Sequence, residues 1–142
     1  MEHAVPTENF GRAFVEWREG HPQCIDRHGK PFKGRNCAQK VNLEYRRMQA
    51  DMYNLFPAIG AVNAERSNFN YAELPDQPNA FGSCPMKIAD RKAEPPQWAK
   101  GELARAALYL DWAYAPLYRL SKQQKQLFLA WHKQYKVSEW VS

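Results

Sequence analysis

Apolar residues recur at helical spacing in several stretches of the chain. Val41, Tyr45, Met48 and Met52 follow one another by three or four positions, which predicts a helix over residues 41–53. Leu120, Leu127, Phe128 and Trp131 line one side of a last helix, with Ser121 at its N-cap. Before it, residues 98–115 read as a long helix, opened by Pro95 and Pro96 and ended by Pro116. Residues 2–10 begin extended, because Pro6 disfavours helix at Val5, and residues 10–19 predict a short helix closed by Gly20. The stretch HPQCIDRHGKPFKGRN, residues 21–36, is a loop rich in proline, glycine and charge, with room for a short strand. Residues 69–90 are irregular, with a short strand at 86–88. This pattern predicts one helix-dominated α+β domain over residues 1–142, without internal repeats.

One segment breaks the pattern. DMYNLFPAIGAVNAERSN, residues 51–68, is helix-like and apolar, yet carries Asn54, Asn63, Arg66 and Asn68. Asparagine is a poor helix former and costly to bury without partners. Such a segment is either a string of caps and turns or has a polar task. Asn54 fits the first description, at a helix end joined to a second helix that Pro57 starts and that runs to about residue 65. Asn63 suits a helix C-cap, and Arg66 and Asn68 suit the turn after it.

Composition narrows the class. Of 142 residues, 44% are hydrophobic and 25% charged, as in globular rather than disordered chains. No apolar run approaches the roughly 20 residues that span a bilayer, and no leader-like segment follows Met1. The net charge of +5 is uneven: residues 95–142 hold seven Lys or Arg against three Asp or Glu. That balance suits an anionic partner, and a solvated basic surface equally well.

Cys24 and Cys37 bracket a loop too polar to pack itself, so a disulfide between them is reasonable in an oxidising compartment. Zinc held by His21, Cys24, His28 and Cys37 is a competing reading, although the spacings of three, four and nine do not follow the usual paired pattern. Cys84 is the odd thiol.

Six blocks, in order, then point to a family. They are EHAVP, RNC, MQADMYNLFPAIGAVNAERSNFNY, GSCPMKI, AEPPQWAKGELAR and LSKQQKQLFLAWHKQYKVSEW. Together they resemble the endonuclease I family of periplasmic and secreted nucleases, whose site is a β-β-α-metal (His-Me) finger. The resemblance implies a metal-dependent endonuclease that hydrolyses DNA, and RNA too in some readings, with little sequence specificity and 5′-phosphate products. It implies Glu2 and Asn63 as ligands of Mg2+, or of another divalent cation such as Ca2+ or Mn2+, and His3 as general base. Those roles suit the chemistry: hard ions prefer oxygen ligands, and a neutral imidazole takes a proton from water near neutral pH. Arg35 is the nearest match to a catalytic arginine beside Cys37, at an offset unlike the usual one. Arg66, Lys100 and Arg105 are implied contacts to the nucleic-acid backbone, and Trp98 stands where relatives often have another arginine.

The chain also departs from the family. Gln49 replaces a glutamate, and Ser142 stands where a cysteine would pair Cys84. The part of the family fold preceding EHAVP is expected to be missing, with the histidine-bearing strand reduced to almost nothing. The expectation is therefore a monomer of periplasmic or secreted location that binds DNA and no membrane. The alternative is a catalytically impaired nucleic-acid-binding module of the same fold.

Overall fold

The computed structural model describes residues 2–56, 70–75, 77, 87–89 and 91–135. Its first strand, β1 (Glu2–His3), pairs antiparallel with β2 (Leu55–Phe56), setting Glu2 opposite Phe56 and His3 opposite Leu55. Between them run four short helices: α1 (Thr7–Gly11), α2 (Val15–Glu19), α3 (Arg35–Val41) and α4 (Leu43–Gln49). A 3-10 turn at Met52–Asn54 then leads into β2. A second, three-stranded sheet has β5 (Lys92–Glu94) at its centre. β3 (Asn70–Tyr71) lies parallel to it on one side and β4 (Lys87–Ala89) antiparallel on the other. The long helix α5 (Gln97–Tyr114) and the last helix α6 (Lys122–Gln134) pack against each other.

The core is continuous from end to end. Phe10, Phe14, Tyr45 and Met48 fill the N-terminal half, and Leu110, Phe128 and Trp131 lie between α5 and α6. Each of the larger side chains contributes on the order of 1.5–3 kcal/mol by leaving water. Small residues bring the two long helices together: Ala104 and Ala107 are buried, and a Cβ on Gly101 would lie 2.4 Å from the Tyr135 carbonyl oxygen.

The expected α+β class, the long helix and the last helix are observed, and the Ser121 hydroxyl accepts from the Gln124 N–H at 3.1 Å. Three expectations change. The helix anticipated over residues 10–19 is two helices with a turn between them, because Trp17 folds back onto Gly11, where a Cβ would sit 2.3 Å from the indole ring. The helix over residues 41–53 is broken at Asn42, whose extended backbone ends α3 and whose side chain caps α4 by accepting from Tyr45 N–H at 2.9 Å. Tyr45 and Met48 therefore reach the core while Met52, past the break, is 75% exposed. The third concerns β1, expected to be reduced to almost nothing: it is short, two residues, Glu2–His3, but it is paired with β2. The helix expected after Pro57 lies outside the described residues, as does Cys84.

Candidate active site

β1 is held by more than its two-residue ladder. The Ala4 N–H donates to the Asn54 carbonyl at 2.8 Å. The Asn54 side chain, fully buried, accepts from Val5 N–H at 2.7 Å and donates to the Val5 carbonyl at 3.0 Å. The Tyr71 hydroxyl donates to the Ala4 carbonyl at 2.6 Å. A buried peptide unit left unpaired is costly, so these bonds form a specific receptacle for residues 4 and 5. Asn54 thus has a structural place, as its position at a helix end suggests, but its partner is the strand that carries His3.

His3 itself is half-buried, with Nε2 2.7 Å from the Gln49 main-chain oxygen. A carbonyl oxygen only accepts, so Nε2 must carry the hydrogen and Nδ1 the lone pair. This tautomer follows from the partner. Gln49 ends α4, and its side-chain Oε1 is buried without a hydrogen-bond partner among the described residues.

Arg35 opens α3, two residues before Cys37. It sits with Thr7 beside the Tyr45 hydroxyl, which makes no hydrogen bond of standard geometry with a described residue. Burial raises the Tyr45 hydroxyl above its ordinary value, and Thr7 and Arg35 oppose that without cancelling it. Tyr45 and Gln49 lie one turn apart on α4, so Arg35 and His3 are tied to the same short helix.

Glu2 takes its place in β1, opposite the last residue of β2. Asn63, Arg66 and Asn68 lie outside the described residues.

Lys100 requires a correction. Expected on the DNA backbone, it is 4% exposed, with its ammonium 2.7 Å from Glu94 Oε2 and 3.0 Å from Glu73 Oε2. It also lies over the Trp131 and Tyr135 rings, and the Trp131 indole N–H donates to Glu73 at 2.7 Å. Burial disfavours its charge, yet the two carboxylates outweigh burial and raise its pKa. A cation so enclosed has no face left for a phosphate. Arg105, also expected there, is half-buried and donates to the Tyr135 carbonyl at 2.9 Å, fastening the end of α6 to α5. Cys24 and Cys37 form a disulfide, which consumes the two sulfurs that a zinc site there would need. Among the described residues no cluster of His, Cys, Asp or Glu has metal-site geometry, and no helix is long and apolar enough to cross a membrane.

A family model for endonuclease I matches residues 1–142, the full length. The chain belongs to the endonuclease I family. An extracellular deoxyribonuclease of Aeromonas hydrophila is 37% identical over 142 residues, covering 98% of this chain and 55% of the relative. A periplasmic deoxyribonuclease of the same organism is also 37% identical over 142 residues, with 98% and 53% covered. Endonuclease-1 of Buchnera aphidicola subsp. Baizongia pistaciae (strain Bp) is 36% identical over 143 residues, with 98% and 52% covered. This endonuclease I chain spans about half the length of the curated relatives it matches.

Asp51 was missed in the sequence. Its Oδ2 accepts from the Tyr109 hydroxyl at 2.8 Å and the Tyr114 hydroxyl at 2.6 Å, and its Oδ1 from Tyr53 N–H at 3.0 Å. The carboxylate raises both phenols, for Tyr109 chiefly through its hydrogen bond and for Tyr114 after burial. Asp51 thereby moors α5 to the turn that feeds β2. The only local sign was an acidic residue at the N-cap of a short turn.

Proposed function

We propose that this endonuclease I family chain carries the catalytic centre of a metal-dependent endonuclease that hydrolyses DNA phosphodiesters with little sequence specificity. The observation that carries the reading is the 2.7 Å contact between His3 Nε2 and the Gln49 carbonyl. With the hydrogen on Nε2, the lone pair is on Nδ1, the nitrogen this reading assigns to take a proton from the attacking water. The Asn54 and Tyr71 hydrogen bonds to residues 4 and 5 hold the imidazole at a fixed depth beside α4. Arg35, tied to that same helix, is the cation available to offset charge building on the phosphate.

Glu2 and Asn63 are the residues that would hold a divalent cation, magnesium in the first place and otherwise calcium or manganese. The donor chemistry fits: a carboxylate and an amide oxygen suit a hard ion that keeps much of its own water. The β1–β2 register supports it, since Glu2 stands opposite Phe56, immediately before the segment that contains Asn63. When bound, such an ion stabilises negative charge on the phosphate and on the departing 3′ oxygen, which leaves a 5′ phosphate. The Cys24–Cys37 disulfide, and relatives named as extracellular and periplasmic, support a periplasmic or secreted location.

The test is nicking of supercoiled plasmid by the parent and His3→Ala, with magnesium and with EDTA, alongside gel retardation. Nicking by the parent in magnesium alone, with retardation kept in His3→Ala, is the expected result. Retardation by the parent without any nicking would reduce the chain to a nucleic-acid-binding module. Substituting RNA for plasmid reads the breadth of the substrate directly.

A further inference from the structure

The denser block of exposed charge lies outside the segment to which the sequence pointed, although Arg119, Lys122 and Lys133 are exposed there too. Residues 95–142 hold most of the formal excess, but Lys100 is buried between carboxylates, Arg105 is bonded to α6, and Lys125 lies 3.8 Å from Asp111. Residues 21–47 hold seven Lys or Arg against two acids, a local excess of five that equals the net charge of the whole chain. All seven cations are exposed, and none is in an ion pair with a described residue. Of the two acids, Asp26 is engaged in its own turn, its Oδ1 accepting from His28 N–H and Lys30 N–H. The neighbouring α2 adds Glu16, Glu19 and Arg18, leaving the excess at four.

We propose that this face, the disulfide-closed loop together with α3 and α4, is the track along which the nucleic-acid phosphate backbone lies. It rests on the reading that nucleic acid is the substrate, and it specifies where the polyanion binds.

Three features support the assignment. First, the cations are displayed on a fixed support. The loop is closed by Cys24–Cys37, by an isolated bridge between Ile25 and Pro31, and by Phe32 N–H donating to the Cys24 carbonyl at 2.9 Å. Gly29, at φ +77°, makes the tip tight, which places Arg27 and Lys30 on either side of it. Lys40 donates to the Gln23 carbonyl at 2.8 Å, and Arg46 donates to the Gln39 and Lys40 carbonyls. Neutral acceptors orient those groups without cancelling their charge. Second, the face leads to the candidate base: Arg46 and Arg47 lie on α4 within the turn that ends at Gln49, whose carbonyl holds His3. Third, a run of spaced single charges without a reading helix suits regularly spaced phosphates, and it gains affinity by releasing condensed counterions.

The experiment is a salt titration of binding to a 20-base-pair duplex in EDTA, read by fluorescence anisotropy, so that cleavage does not enter. Three proteins are compared: the parent, the triple variant Arg27→Gln, Lys30→Gln, Lys33→Gln, and the control Lys122→Gln, Lys133→Gln on α6. Thermal unfolding of each verifies that the exposed substitutions leave the fold intact. The triple variant should lose about two to three units of slope in log affinity against log salt, at about 0.9 per phosphate contact, while the control keeps the parent's slope. An unchanged slope in the triple variant overturns the inference, as does an equal loss in the control, which would mean that only total charge matters. Tighter binding of the parent to anionic lipid vesicles than to duplex at equal salt would also overturn it. Plasmid nicking without a loop-dependent slope would sink this inference and leave the proposed function standing. A loop-dependent slope without nicking would do the reverse.

Discussion

The Asn54 side chain grips the Val5 peptide from both sides, accepting from its N–H at 2.7 Å and donating to its carbonyl at 3.0 Å. The two residues are 49 positions apart, and this grip sets the strand that carries His3. Asn54→Ala would leave a buried N–H and a buried carbonyl without partners, at about 1–3 kcal/mol for each group. We expect a lowered urea midpoint with an unchanged slope, and a fall in nicking in conditions where the variant is still folded. Asn54→Asp keeps the acceptor but loses the donor and adds a buried charge, so it should not rescue stability. A midpoint equal to the parent's in Asn54→Ala would show that the ladder and Tyr71 suffice.

His3→Ala should lower the cleavage rate by roughly 10²-fold or more while duplex affinity in EDTA changes little, because a general base contributes to proton transfer rather than to phosphate binding. Parallel loss of affinity and cleavage would assign His3 a packing role.

Asn63→Ala should shift the magnesium requirement for nicking to higher concentration, since one oxygen ligand of a weakly chelated hard ion is removed. Superimposable magnesium titrations of parent and variant would exclude Asn63 from the ion's coordination.

Lys100→Met should be destabilising rather than defective in binding. Removing the ammonium leaves Glu94 buried beside Glu73 with only the more distant Lys87, 4.0 Å away, as counter-charge, at a cost of up to about 3–5 kcal/mol. The salt slope of duplex binding should match the parent's. A changed slope with an unchanged unfolding midpoint would return Lys100 to the DNA path.

The same cluster predicts an acid limb in stability. Burial raises the Glu94 carboxyl, but Glu73, the Lys100 ammonium and the Leu74 N–H together bring it from 4.5 down to about 2. A group depressed on folding stabilises the protein above its unfolded value and loses that contribution as pH falls toward the folded one. Stability should therefore fall between about pH 4.5 and pH 2, by on the order of 3 kcal/mol in total for a shift of this size. Glu94→Gln should flatten that limb in a series of urea midpoints, and an identical limb in the variant would place the acid sensitivity in other carboxylates.

The parts of the fold legible in the sequence are those governed by local signals. Ser121 with its following apolar stripe, and the prolines flanking residues 97–114, act through neighbours a few positions away, and the long helices stand where those signals put them. The breaks at Asn42 and around Trp17 were hidden because each depends on what a side chain meets in space. A Val41–Tyr45–Met48–Met52 stripe looks uninterrupted until Asn42 turns its side chain to the Tyr45 N–H. Charge was legible as a total but not as a surface. Lys100 and Arg105 look like solvent cations until Glu73, Glu94 and Tyr135 arrive from other elements. The candidate site divides in the same way. EHAVP gained its candidate roles only through the family resemblance, whereas the carbonyl of Gln49 and the carboxylate of Asp51 act through a main-chain atom and through tyrosines 58 and 63 positions away.

The pairing of β1 with β2 has a consequence in time. His3 is synthesised about fifty residues before Leu55, the residue it pairs with, and every described support of its strand comes from Gln49 onward. At about 5–20 residues per second, the imidazole waits roughly 3–10 s before its strand has a partner. Closing so long a loop is paid for in chain entropy before any contact rewards it, so this pairing belongs to the late, non-local stage of folding. A growing chain in which His3 has emerged therefore lacks the partners of its strand, and the candidate geometry arises only once residues 49–71 fold back onto residues 2–5.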